Sequence, residues 1–207
     1  MKYEISGFFP SPVYYTERNS ELDVTEKKEI EDIIAEGMRR NVNNAYSINN
    51  FIFDTKLKNI KEFCEQHLKM YVEQVIVPKE ELEFYITQSW LNLTKPDESH
   101  HEHNHPNSII SGVFYISTVE NDGIMFIDPN IRQKKIITIG TEDYNIWNSL
   151  DWTMPVYKNQ LFLFPSWLAH CVELNQNATT NRISLSFNVF LRGKIGNREN
   201  LTELILK

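Results

Sequence analysis

Seven short runs of alternating apolar and polar residues follow one another along the second half of this chain, at 84–93, 108–117, 123–127, 135–139, 160–164, 171–174 and 182–191. Alternation with period two is the pattern of a half-buried strand, because successive side chains leave opposite faces of the pleat. Turn chemistry separates the runs, with Asn121-Asp122-Gly123 reading as a hairpin and Asp128-Pro129-Asn130 as a further turn. So many short strands in succession, preceded by helical segments, predict an antiparallel barrel or sandwich with helices packed on its outside.

The helical segments lie upstream. Residues 5–15 are extended in character, and Pro10 and Pro12 restrict them to an edge strand or an arm. Asp23 followed by Glu26 has the spacing of a capping box, and Ile30, Ile33, Ile34 and Met38 continue at helical period, which predicts a helix over 24–40. Asp54 is placed to cap a second helix, whose Leu57, Ile60, Phe63, Cys64, Leu68, Tyr71, Val72 and Val75 form one broad apolar stripe ending before Pro78. His67 falls on that stripe with no ligand-type residue at i+3 or i+4, and reads as a packing histidine.

At 207 residues and 41% hydrophobic content the chain suits a single domain over 1–207, with helical support at about 21–78 and a β core at about 82–191. A formal charge of −7 argues against nucleic acid as a partner, since the summed field repels phosphate. Cys64 and Cys171 lie far apart in unlike segments, as in a reduced compartment. With no signal-peptide pattern and no long apolar run, the expected setting is cytoplasmic and off the membrane. Abundant Asn, Ile and Lys point to an AT-rich genome such as that of a phage. The stripe of the second helix would serve a homodimer as well as a core.

Chemistry concentrates between two of the strands, in HHEHNH: His100, His101, Glu102, His103 and His105. In an extended segment His101, His103 and His105 share one face, while His100 and Glu102 take the other. Either face offers two ligands one residue apart, enough to hold one side of a metal ion with a third ligand from elsewhere. His170, just after the Pro165-Ser166-Trp167 corner, is the histidine placed to be that third ligand. Twelve positions on, Arg182, Ser184 and Ser186 share one strand face. A hairpin symmetric about Asn177 and Ala178 would set Arg182 opposite Glu173, roughly 10 Å along the strand from His170. That separation suits a short dicarboxylate, with one end on a metal and the other on the guanidinium fork and the Ser184 hydroxyl.

Taken in order, HNHPNSIISGVFYIS, a Gly-x-x-Phe-x-Asp-Pro stretch, LFLFPSWLAHCV and NRISLSFNVF resemble the 2-oxoglutarate- and Fe(II)-dependent oxygenases of bacteria and phages, within the prolyl-hydroxylase-like superfamily. The likeness spans residues 90–191. It implies a mainly β protein with flanking helices (α+β), built as a double-stranded β-helix of the jelly-roll or cupin-like kind, with Fe(II) at its mouth. It further implies that Arg182 and Ser184 hold the distal carboxylate of 2-oxoglutarate, with Asn92, Tyr115 and Asn188 as neighbouring polar groups of the pocket. The family pattern of His-x-Asp or His-x-Glu plus a distant His falls on His103, His105 and His170, a set without a carboxylate; the alternative carboxylate ligand is Glu102 in His100-His101-Glu102. The reaction implied is oxidation of a small-molecule or peptide substrate with release of succinate and CO2. Two other readings stand beside it: a three-histidine metal dioxygenase that does not use 2-oxoglutarate, and a non-catalytic metal-binding or assembly module on the same fold. The stretch 134–155, with Trp147 and Trp152, reads as a lid or partner surface.

Overall fold

The computed structural model describes residues 2–137, 139–174 and 178–207. In chain order the elements are β1 (Tyr14–Glu17), α1 (Val24–Glu36), β2 (Met38–Arg40), β3 (Ala45–Ser47), α2 (Lys58–Tyr71), β4 (Glu83–Thr94), β5 (His100–His103), β6 (Ile110–Ser117) and β7 (Gly123–Ile127). A short α3 (Ile131–Lys134) follows, then β8 (Asp151–Pro155), β9 (Gln160–Pro165), β10 (His170–Val172), β11 (Arg182–Ile195) and β12 (Leu204–Leu206). The larger sheet runs β1-β9-β6-β11-β4-β3-β2, with β12 added to β11, and the smaller runs β5-β10-β7-β8. All the ladders between these strands are antiparallel.

Strand alternation divides the protein into layers. On β11 Leu185, Phe187 and Val189 face the helices, joining Leu91, Phe114 and Leu161 against Ile30 and Ile33 of α1 and Ile60, Cys64, Leu68 and Tyr71 of α2. Each such fully buried Leu or Phe contributes about 1.5–3 kcal/mol. The opposite faces turn inward, where Val113, Tyr115, Phe162 and Phe164 of the larger sheet meet Ile124 and Phe126 of the smaller one, with Val156 and Leu168 beside them. This is the antiparallel barrel with outer helices that the alternating runs predict, and the double-stranded β-helix that the family resemblance implies, with α1 and α2 covering its outer face.

Local chemistry sets the element ends. The Asp23 carboxylate accepts from the Glu26 amide, and Glu26 returns the bond to the Asp23 amide, closing the capping box. The helix stops at Glu36 rather than 40, because Gly37 turns the chain at φ +126° into β2. Asp54 ends a 3-10 turn instead of capping α2, which starts after Leu57 in the left-handed region, its amide donating to the Glu29 carboxylate at 2.7 Å. His67 packs as read, its Nδ1 2.7 Å from the Tyr14 hydroxyl and its ring edge-on to Phe63.

Two strand expectations are corrected. The run 135–139 is no strand among its described residues: Ile136, Ile137 and Ile139 are exposed, and β7 pairs instead with Asp151–Pro155. Thr138 lies outside the described residues. Arg182 is not opposite Glu173: β10 joins β5 and β7 while β11 joins β4 and β6, so Arg182 pairs with Thr94. The segment between them connects the two sheets, and its Asn175, Gln176 and Asn177 lie outside the described residues. No helix among the described residues is long and apolar enough to cross a membrane.

Candidate metal centre

At one end of the barrel β5 and β10 lie side by side with His103 and His170 as register partners. His105 follows β5, its amide held by the Ser166 carbonyl at 3.0 Å, and Ser166 is itself fixed by hydroxyl contacts to Ser111 and Ser108. The Pro165-Ser166-Trp167 corner thus anchors both arms of the cluster. Each of His103, His105 and His170 offers a ring nitrogen within 4.8 Å of the others. The His105 and His170 rings stack at 5.3 Å between centroids and 10° between planes, and His103 lies 4.4 Å from His170.

The rings are prepared as neutral donors. His170 Nδ1 lies 3.0 Å from the Leu168 carbonyl and His103 Nδ1 2.8 Å from the His101 carbonyl. A carbonyl can only accept, so each Nδ1 carries the proton and each Nε2 keeps its lone pair for a metal. Burial, then the neighbouring His103, lowers His170 to about 3 and His105 to about 4. Burial also lowers His103, partly offset by its bond to the His101 carbonyl. All three imidazoles are therefore uncharged at neutral pH. Three converging neutral nitrogens suit a first-row transition metal such as Fe(II).

Glu102 does not join them: its side chain is exposed, outside the three-histidine group. Simple alternation also puts His100 on the Glu102 face, and there the structure differs. Two steps along β10, from His170 to Val172, match three along β5, from His103 to His100, so β5 carries a bulge. The extra residue turns His100 back, and its ring stacks on His103 at 4.4 Å and 20°. Burial, reinforced by the adjacent histidines and Arg182, depresses it to about 2.

Within the barrel, Arg182 and Ser184 are buried on the inner face of β11. Ser184 stands in register with Asn92 and with Tyr115, and Asn92 donates to the Ser186 hydroxyl at 2.9 Å. The Arg182 guanidinium carbon lies 5.0 Å from the Tyr115 ring centroid. Burial holds the Tyr115 phenol above its usual range, against the opposing pull of the guanidinium, so it stays a donor. Tyr115 Oη, Thr94 Oγ1 and Asn188 Oδ1 are buried without a hydrogen-bond partner of good geometry. Buried orphan polar atoms are costly, and two hydroxyls beside a buried cation are what the carboxylate of a ligand would satisfy. Trp167, the last residue of the corner before His170, is 54% exposed. Sequence reasoning missed Asp122, which meets Arg182 across the barrel end.

Residues 88–188 match the family described as "Putative 2OG-Fe(II) oxygenase", the kind of oxygenase that the sequence resembles. Solved structures with the same fold include a Pseudomonas putida prolyl-4-hydroxylase, 14% identical at TM-score 0.56, with 86% of this chain and 92% of that one covered. HygX from Streptomyces hygroscopicus, with nickel, 2-oxoglutarate and hygromycin B bound, is 7% identical at TM-score 0.56 over 86% and 82% of the two chains. The viral collagen prolyl hydroxylase of Paramecium Bursaria Chlorella virus-1, in its 2OG complex, is 10% identical at TM-score 0.52 over 85% and 94%. No curated protein matches the sequence.

Proposed function

We propose that this protein is a 2-oxoglutarate- and Fe(II)-dependent oxygenase in which His103, His105 and His170 hold the metal and Arg182 with Ser184 receives the distal carboxylate of the cosubstrate. The observation that carries the reading is the presence of both halves of such a site: three neutral imidazoles converging at the barrel mouth, and a buried guanidinium on an inner strand. Bound together, Fe(II) and 2-oxoglutarate would supply oxidative decarboxylation to succinate and CO2 coupled to oxidation of a substrate C–H bond. The chain's own share is positioning and exclusion of water. Carbonyl bonds at Nδ1 fix the orientation of His103 and His170. Neutral rings accept a metal without first losing protons. The guanidinium and the Tyr115 hydroxyl donate to the far carboxylate, while Phe126, Phe164 and Leu168 wall the His170 side against solvent. A three-histidine set leaves the full charge on the metal, which a dianionic cosubstrate offsets. The substrate is a small molecule or a peptide; solved structures of the same fold include a prolyl-4-hydroxylase and HygX with hygromycin B bound.

Succinate formed from 2-oxoglutarate by the Fe(II)-loaded protein under air tests this reading. Wild type should form it, Arg182→Gln should raise KM for 2-oxoglutarate at least about tenfold through loss of a charge-assisted bidentate contact, and His170→Ala should abolish turnover. The missing carboxylate favours a second reading, a three-histidine dioxygenase that leaves 2-oxoglutarate untouched. Tight Fe(II) binding with no cosubstrate consumption would select that reading.

A further inference from the structure

The Asn121-Asp122-Gly123 turn does more than reverse the chain. It delivers a carboxylate to Arg182, with Nε of the guanidinium 3.0 Å from both Asp122 oxygens. Both side chains are buried, at 5% exposure for Arg182 and 3% for Asp122. The carboxylate is fixed as well, since Oδ1 accepts the Gly123 amide at 2.9 Å. Its backbone is tied on two sides, the amide to the Val119 carbonyl at 3.3 Å and the carbonyl to the Val156 amide at 3.1 Å. On the other flank the guanidinium lies against the Tyr115 ring.

A buried guanidinium without a partner is strongly destabilising, whereas a buried pair costs much less. Because Asp122 takes Nε with both its oxygens, the two terminal nitrogens, beside the Tyr115 hydroxyl, meet no carboxylate among the described residues and form the fork that suits a second one. We propose that Asp122 is the resident counter-ion of Arg182, a positioning residue that keeps the carboxylate-binding arginine folded in and oriented before any ligand arrives. The same negative charge weakens dicarboxylate binding by repulsion, so Asp122 sets the affinity as well as the geometry. This inference rests on the reading of Arg182 as the residue that meets the cosubstrate carboxylate.

Glutarate, a five-carbon dicarboxylate without the keto group, probes the arginine end alone. It would be titrated into the metal-free full-length protein, with calorimetry for Kd and thermal unfolding for Tm. Wild type should bind it and Arg182→Gln should not. Asp122→Asn keeps an acceptor for Nε and removes the charge: its ligand-free Tm should fall, its glutarate-induced rise in Tm should exceed that of wild type, and its Kd should drop about tenfold at an effective dielectric typical of protein sites. Equal Kd and equal Tm shifts in Asp122→Asn and wild type would overturn the proposal, as would weaker binding by the variant. If wild type ignores glutarate, or Arg182→Gln binds it equally, the reading of Arg182 itself falls and the pair is structural. Should Asp122→Asn not fold even with glutarate, Asp122→Ser takes its place with the same readouts, and failure of both identifies a purely structural pair and overturns the proposal.

Discussion

At Gly112 a single hydrogen atom decides whether the larger sheet can carry its aromatic cover. The Phe187 ring lies across this position, and a Cβ there would stand 2.1 Å from Phe187 Cζ and 2.5 Å from two further ring carbons. Gly112 pairs with Phe187 in the ladder, so the ring cannot leave without opening the core under α2. Gly112→Val should destabilise the fold by about 1–3 kcal/mol through overpacking, read as a lower midpoint in urea unfolding with an unchanged slope. At this scale much of the site was legible. Residues spaced by one on a strand share a face, which grouped His103 with His105, and the corner before His170 named their partner. What sequence could not show were His100 and Asp122. The first is turned inward by a bulge that no pattern announces, and the second meets Arg182 only because the turn after β6 closes over the start of β11.

Among elements, local signals worked where they are self-contained and failed where pairing decides. The capping box of α1 is complete in four residues, and Asp23 also accepts from Asn59 at 3.2 Å. Asp23→Ala should cost about 1 kcal/mol, and a shift of that size lowers Tm by about 2–4 °C in a domain this large; a calorimetric scan showing no shift would contradict the role given to the cap. By contrast, the β-branched run at 135–139 has strand propensity but finds no partner among the described residues, and its isoleucines face solvent. Asp151–Pro155 begins with Asp and ends in Pro, poor strand residues, yet it pairs along its whole length with β7. Edge position explains the tolerance, since a proline at the rim of the smaller sheet gives up no central ladder bond.

For the whole molecule, a barrel with helices on its outside followed from alternation, because the central strands of the larger sheet bury one face under the helices and the other against the smaller sheet. The pairing of β11 did not. A hairpin was the natural reading of two strands joined by a short turn, but the barrel sends them to opposite sheets, which brings Arg182 beside Thr94 and Tyr115 instead of Glu173. That exchange places the buried cation inside the barrel, where it faces the same interior as the histidines. The central claim is that His103, His105 and His170 form the metal site without Glu102. Anaerobic calorimetric titration of Fe(II) into wild type, His103→Ala, His105→Ala, His170→Ala and Glu102→Ala tests it most directly. Each histidine variant should lose affinity on the order of 100-fold or more, while Glu102→Ala binds as wild type does. Loss of binding in Glu102→Ala, or retention in any of the three histidine variants, would contradict it.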